Sequence, residues 1–126
     1  MPSQNNSGLQ HQKDYAITLV ATAVLAANRL IGYDGAYATS AGGAHDAQGV
    51  SEMDAAIGDA VSVVTEYSYL VECSVPIALH DYINPAADGS GRAAVGTVGD
   101  HCGRALGATT VAGQLFEMQI VRHVHA

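Results

Sequence analysis

The chain is poor in charge, and in positive charge above all. Charged residues make up 13% of its 126 residues, and 5 Lys and Arg stand against 12 Asp and Glu, for a net charge of −7 at pH 7. Lys13 is the single lysine. Nucleic-acid binding needs clustered cations to neutralise phosphates. This composition therefore argues against a nucleic-acid partner.

Long apolar runs, tryptophan and a cysteine framework are also missing. The longest apolar run, residues 16–27, includes two threonines and is far shorter than the roughly 20 residues that span a bilayer. The polar first fifteen residues do not resemble a secretory signal. Cys73 and Cys102 are too few for a disulfide-stapled domain and have no C-x-x-C spacing. We therefore expect no membrane partner and two ordinary, partly buried thiols.

Small apolar residues make up most of what is present, with 48% hydrophobic residues and 14 glycines. A chain of this length holds one domain. Residues 61–75 alternate between apolar and polar positions, which predicts a strand. Because that segment is long, it forms either a hairpin turning near residues 66–68 or one long bent strand. The same alternation at Phe116, Met118, Ile120 and Val124 predicts a second strand that runs almost to the end of the chain.

Shorter patterns complete the predicted architecture. Further strands are expected at Ala16–Leu25, Arg29–Tyr33 and Arg92–Val95, a loop at Asn84–Gly91, and one short helix from a Ser51 cap to Gly58. The prediction is an all-β domain with at most one short helix, a small barrel or sandwich spanning residues 15–126. Residues 1–14, rich in Gln, Asn and Ser, predict a flexible N-terminal arm.

Catalytic and metal-binding patterns are weak. His123 and His125 would share one face of a strand, but a metal would need a third ligand that the sequence does not fix. The candidates for that ligand are His80, Asp81, His101 and Cys102. Ser90 lies between two glycines, yet in a loop rather than in a nucleophile elbow. We assign no catalytic, cofactor-binding or metal residue, expect no enzyme and no cofactor, and retain a His-based metal hydrolase only as an alternative.

Tyrosine is the prominent aromatic residue, with six copies against one phenylalanine. Its ring can be buried while its hydroxyl stays hydrated, which suits protein interfaces. The arm could order against a partner. The predicted interface residues are Gln4, Leu9, Gln10, Tyr15, Tyr33, Tyr37, Tyr67 and Tyr69.

Four short motifs occur in an order typical of one phage protein family. They are RLIGYDG at 29–35, AQGV at 47–50, AIGDAVSV at 56–63 and GRALG at 103–107, followed by a closing strand at 114–121. In this order the chain resembles the bacteriophage capsid decoration or cement proteins, the DUF2190-like head-stabilising family. Two positions depart from that pattern: residues 66–68 lack the usual hairpin glycine, and His80 replaces another glycine.

The resemblance implies a virion structural protein on the outer surface of an icosahedral head, made in the host cytoplasm. Such proteins are typically homotrimers at local three-fold positions that clamp neighbouring major capsid proteins, and an N-terminal arm commonly contributes to the grip. The implied partners are the major capsid protein and further copies of the chain. A virion surface adhesin is the alternative from another functional class.

Overall fold

The computed structural model describes residues 13–125, and within that range it contains eight β-strands and no α-helix. The strands are β1 (Lys13–Val20), β2 (Leu30–Gly32), β3 (Ala47–Ser51), β4 (Ala60–Glu72), β5 (Tyr82–Pro85), β6 (Ala93–Val95), β7 (His101–Ala105) and β8 (Leu115–Val124). One 3-10 turn occupies Gly43–His45. The all-β prediction is confirmed.

The strands form one antiparallel sheet that nearly closes on itself. Its order is β2-β3-β4-β8-β7-β5-β6, and β1 pairs with β4 beside this path. The two ends of the path approach each other where the Leu30 N–H donates to the Gly91 carbonyl at 2.7 Å. This contact gives the sheet a barrel-like form.

Strand β4 joins the two halves of the sheet. Its first half pairs with β1 and β3, and residues Ser68–Glu72 pair with β8. Tyr67, at the change of partner, has a φ of 62°, which is the left-handed region. Residues 66–68 thus form a local bend within one long strand and not a hairpin turn. The absence of Gly or Asn there fits this outcome, because two-residue hairpins need them.

Close strand packing explains the small-residue composition. A Cβ atom on Gly49 would lie 2.2 Å from the Val64 carbonyl oxygen, and one on Gly103 would lie 2.5 Å from the Met118 sulfur. The interior contains two apolar clusters, one centred on β7 and β8 and the other on the first half of β4. Glycines at crossing points therefore let backbones approach where any side chain would separate them.

Several local predictions were wrong in their bounds or type. The expected helix after Ser51 is absent, because Ser51 ends β3 and its hydroxyl donates to the Ala26 carbonyl at 2.8 Å, so it caps nothing. Ala55 instead bridges to Leu25, beyond the end of β1. The predicted loop at 84–91 begins later, since residues 84 and 85 close β5. Proline is tolerated there because Pro85 is the last residue of its strand.

The predicted arm lies mostly outside the described residues, which begin at Lys13 in β1. Cys73 and Cys102 are free thiols, and both are buried, more completely than the partial burial that was predicted. Across residues 13–125 no helix has the length and apolar character that a membrane crossing by helix would need.

Candidate functional site: a tyrosine-lined cleft and a histidine–aspartate cluster

A surface cleft of about 460 Å³ opens between β1, β4 and the second half of β8. Three tyrosines line it, Tyr15 from β1, Tyr33 from the turn after β2, and Tyr67 from the bend of β4. Their residues are 63%, 57% and 37% exposed, respectively. The remaining lining residues are Ile17, Ala47, Gln48, Thr65, Glu66, Ile120, Val121 and Arg122.

Irregular pairing between β1 and β4 directs the side chains of Tyr15 and Tyr67 toward the cleft. The β1–β4 register shifts on both sides of Tyr15, so that Tyr15 pairs with Glu66 while Lys13 pairs with Tyr67. Such bulges bend a strand and redirect its side chains, and they are common beside functional sites. The left-handed backbone of Tyr67 falls in the same segment. A regular ladder would have placed successive side chains on alternate faces of the sheet.

Two other tyrosines named from the sequence are partly buried and make contacts within the domain. The Tyr37 hydroxyl accepts a hydrogen bond from the Ala26 N–H at 2.8 Å, and the Arg29 guanidinium carbon lies 5.6 Å from the Tyr37 ring centroid. Tyr69 packs against the larger apolar cluster. The structure thus brings Tyr15, Tyr33 and Tyr67 together and uses Tyr37 and Tyr69 for internal packing.

The other predicted interface residues, Gln4, Leu9 and Gln10, lie outside the described residues. Sequence reasoning did not identify Gln48, Glu66 and Arg122, which give the cleft its polar groups. Their neighbours along the chain form ordinary strand patterns. Only the long-range pairing of β1, β3, β4 and β8 brings them together, and no local signal reports such pairing.

A second polar site joins four side chains from three segments. Asp46 follows the 3-10 turn, Asp100 directly precedes β7, and His123 and His125 stand at the end of β8. The Asp46 Oδ1 atom lies 2.8 Å from His125 Nε2 and 3.6 Å from His123 Nδ1. The Asp100 Oδ1 atom lies 3.3 Å from His123 Nε2 and 3.3 Å from His125 Nδ1. We call these four residues the histidine–aspartate cluster.

The two imidazole rings of the cluster stack, with centroids 4.5 Å apart and planes 19° from parallel. The two rings therefore lie on the same side of the chain, although His125 follows the last residue of β8. The hydrogen bond to Asp46 is the main reason that the pKa of His125 is raised above its usual value, with further attraction from Asp46 and Asp100. The His123 side chain is 2% exposed and that of His125 is 43% exposed.

Neither of the other suspected reactive groups has the surroundings of a nucleophile. Burial is the main cause that raises the pKa of the Cys102 thiol to about 12, and the nearby carboxylates of Asp100 and Asp46 add to it. Because the thiolate is the reactive form, this thiol is inert at neutral pH. Ser90 belongs to a turn, where its N–H donates to the Asp88 carboxylate at 3.0 Å and its hydroxyl accepts from the Arg92 N–H at 3.2 Å.

Comparison with known proteins gives a likeness in fold and no match in sequence family. No protein-family model and no curated protein matches the chain. Among solved structures, the chain is similar to the N base of head fiber gp8.5 in bacteriophage phi29, with a TM-score of 0.62 and 20% sequence identity. The match covers 89% of this chain and 98% of that chain. At 20% identity this likeness establishes a shared fold. No family model supports the resemblance to DUF2190-like proteins.

Proposed function

We propose that the chain is a structural protein of a bacteriophage head, attached to the outer surface of the capsid. The observation that carries this proposal is the fold shared with a phage head fiber base along nearly the full length of both chains. The order of the RLIGYDG, AQGV, AIGDAVSV and GRALG motifs supports the same class of protein from the sequence. The excess of acidic residues suits a surface that faces solvent and not the packaged nucleic acid.

The surface that we assign to capsid binding is the tyrosine cleft. Tyrosines are enriched among the residues that dominate binding energy, because a rigid ring buries a large area with little loss of entropy. Tyr15 and Tyr33 are more than half exposed, so their rings can bury further area against a partner. Gln48, Glu66 and Arg122 supply polar groups around them. This combination of aromatic anchors with polar neighbours is typical of protein interfaces.

The position of β1 relates the cleft to the proposed arm. Lys13, the first described residue, pairs with Tyr67, which lines the cleft. Strand β1 therefore begins beside the cleft, and we propose that the arm that precedes it adds contacts to the same capsid surface. Assembly as a trimer would multiply these contacts, and linked weak contacts raise avidity without any new interaction. Binding to assembled shells but not to dispersed subunits would stabilise the shell by mass action.

Co-sedimentation with heads that lack the protein tests this proposal. We expect the full chain to sediment with the heads, and the double change Tyr15→Ala and Tyr33→Ala to weaken binding at least tenfold. Tyr37→Phe is the matched control, because it changes an internal tyrosine and leaves the cleft intact. Wild-type protein that stays in the supernatant would refute the proposal. Equal binding by the double variant would refute the role of the cleft.

A fiber base is the second candidate, and the fold match itself favours it, since the matched structure is the base of a head fiber. In that role the domain would attach to the head and carry a distal part, while a cement protein would cover the lattice. Counting bound copies per head separates the two. Occupancy of most equivalent lattice positions supports the cement role, and occupancy of a small subset supports the fiber base.

A further inference from the structure

We propose that the histidine–aspartate cluster is a binding site for a transition-metal ion of the zinc class. Its ligands would be Asp46, His123 and His125, each of which offers one ligand atom, and these three atoms all lie within 4.8 Å of one another. The ring nitrogens that face Asp46 Oδ1 are His123 Nδ1 and His125 Nε2. The sequence alone offered no third ligand at a defined spacing from the two histidines. The fold supplies Asp46, which directly precedes β3 and is distant in sequence from the two histidines.

The hydrogen bonds of His123 fix which of its ring nitrogens carries the proton. The Ala47 backbone N–H can only donate, and it lies 3.1 Å from His123 Nδ1. Nδ1 is therefore the acceptor nitrogen, and the ring proton is on Nε2, which faces Asp100 at 3.3 Å. Nδ1 is also the nitrogen that faces Asp46. The tautomer that the backbone selects leaves Nδ1 without a proton, as a metal ligand requires. A metal bound at Nδ1 would replace the hydrogen bond from the Ala47 N–H, because that nitrogen has one electron pair.

Asp100 lies where a carboxylate that hydrogen-bonds to metal-binding histidines would lie. Its Oδ1 atom lies 3.3 Å from His123 Nε2 and 3.3 Å from His125 Nδ1, which are the two ring nitrogens that do not face Asp46. Metal-binding histidines commonly donate their second N–H to such a carboxylate, which orients the ring and makes the ligand nitrogen more basic. One side chain, Asp100, can serve both histidines here. We assign Asp100 as a positioning residue and not as a ligand.

Charge supports a cation at this point. The ion pairs that the described residues provide for Asp46 and Asp100 are all to histidines. With both rings neutral, the cluster therefore carries two negative charges with no Lys or Arg among these pairs. Imidazole and carboxylate ligands together favour zinc and related transition metals over magnesium or calcium.

The spacing of the ligand atoms is close to that of a metal site. The Asp46 Oδ1 atom is 2.8 Å from one ligand nitrogen and 3.6 Å from the other. Zinc bonds near 2.1 Å in tetrahedral geometry place neighbouring ligands about 3.4 Å apart. Stacked rings cannot both point at one ion, so one ring must turn. His125 can turn, because it follows the last residue of β8 and its side chain is 43% exposed.

Zinc titration of the full chain, prepared without a histidine tag, tests the site by calorimetry. We expect one Zn²⁺ per chain and no comparable binding of Mg²⁺. His125→Ala and Asp46→Asn should each weaken Zn²⁺ binding at least tenfold. Asp100→Asn should weaken it by about 10- to 100-fold, since loss of outer-shell partners has that effect. His80→Asn is the matched control, because it removes an exposed histidine outside the cluster and asparagine tolerates the positive φ of 73° at that position.

Thermal unfolding gives a second readout that does not depend on calorimetry. An ion held by Asp46 and by the end of β8 binds the folded state, so Zn²⁺ should raise the Tm of the wild type and of His80→Asn. The Tm of His125→Ala should not respond. Absence of Zn²⁺ binding by the wild type would overturn the proposal. So would unchanged binding by His125→Ala, or an equal loss in His80→Asn.

Discussion

Tyr37 and Tyr69 differ from Tyr15 and Tyr33 in what their rings contact. The first pair is partly buried, with Tyr37 hydrogen-bonded to the Ala26 N–H and Tyr69 packed on the larger apolar cluster. The second pair is more than half exposed at one cleft. The number of tyrosines in the chain therefore does not by itself define an interface. Strand register decides which rings stabilise this domain and which remain available to a partner.

The largest effect is expected where the backbone supports an internal tyrosine. Gly91 has a φ of 73°, and a Cβ atom there would lie 2.4 Å from Tyr37 Cδ1. Gly91→Ala should therefore lower the free energy of unfolding by about 3 kcal/mol, combining a left-handed alanine with steric overlap. Urea unfolding measures the loss.

Gly89→Ala is the matched control for that change. Gly89 has a similar φ of 79°, but nothing lies within 4 Å of a Cβ atom placed there. It should lose only about 1 kcal/mol, the cost of the backbone conformation alone. Equal losses in the two variants would show that Tyr37 is not held tightly against Gly91.

Truncation of the second internal tyrosine should have the next largest effect. Tyr69→Ala removes a ring packed on the larger apolar cluster and should cost about 2 kcal/mol, less than for a fully buried aromatic residue. Thermal or urea unfolding tests this. A change within experimental error would place Tyr69 with the exposed tyrosines and weaken the comparison.

Removal of one internal hydroxyl group should have a smaller effect. Tyr37→Phe deletes the acceptor of the Ala26 N–H and should cost about 1 kcal/mol in urea unfolding. Binding to heads should stay at the wild-type level. Weaker head binding at unchanged stability would mean that Tyr37 contributes to the interface after all.

The exposed tyrosines should contribute least to stability. Tyr15→Ala and Tyr33→Ala should each change the free energy of unfolding by no more than about 0.5 kcal/mol, because surface substitutions remove few internal contacts. The same unfolding measurements apply. A loss of 2 kcal/mol or more would assign these rings to the domain's own packing and remove the main argument for a docking surface.

Cysteine labelling tests how closed the interior of the domain is, and it needs no substitution. Burial holds the Cys102 pKa at about 12, so a thiol-specific reagent at pH 8 should not label Cys102 in the folded protein. Labelling should appear when denaturant unfolds the chain. Rapid labelling of the native protein, located by mass spectrometry at Cys102, would show that the sheet opens more readily than its hydrogen bonds indicate.

Local patterns predicted the class of fold but not the site. Alternation at 61–75 and 116–124 anticipated β4 and β8, because a strand buried on one face repeats every two residues. The predicted helix after Ser51 is absent, because the Ser51 hydroxyl donates to the carbonyl of Ala26, which is distant in sequence. The cleft and the histidine–aspartate cluster were not predictable for the same reason. Tyr15 and Tyr33 line one cleft, and Asp46 lies near His123, only because of long-range strand pairing.

Cryo-electron microscopy of phage heads with the protein bound tests the central claim most directly. The account predicts density for the domain on the outer surface of the capsid at local three-fold positions. It also predicts that the cleft formed by Tyr15, Tyr33 and Tyr67 faces the major capsid protein. Heads without such density after incubation with the protein, or bound domains whose cleft faces solvent, would contradict it.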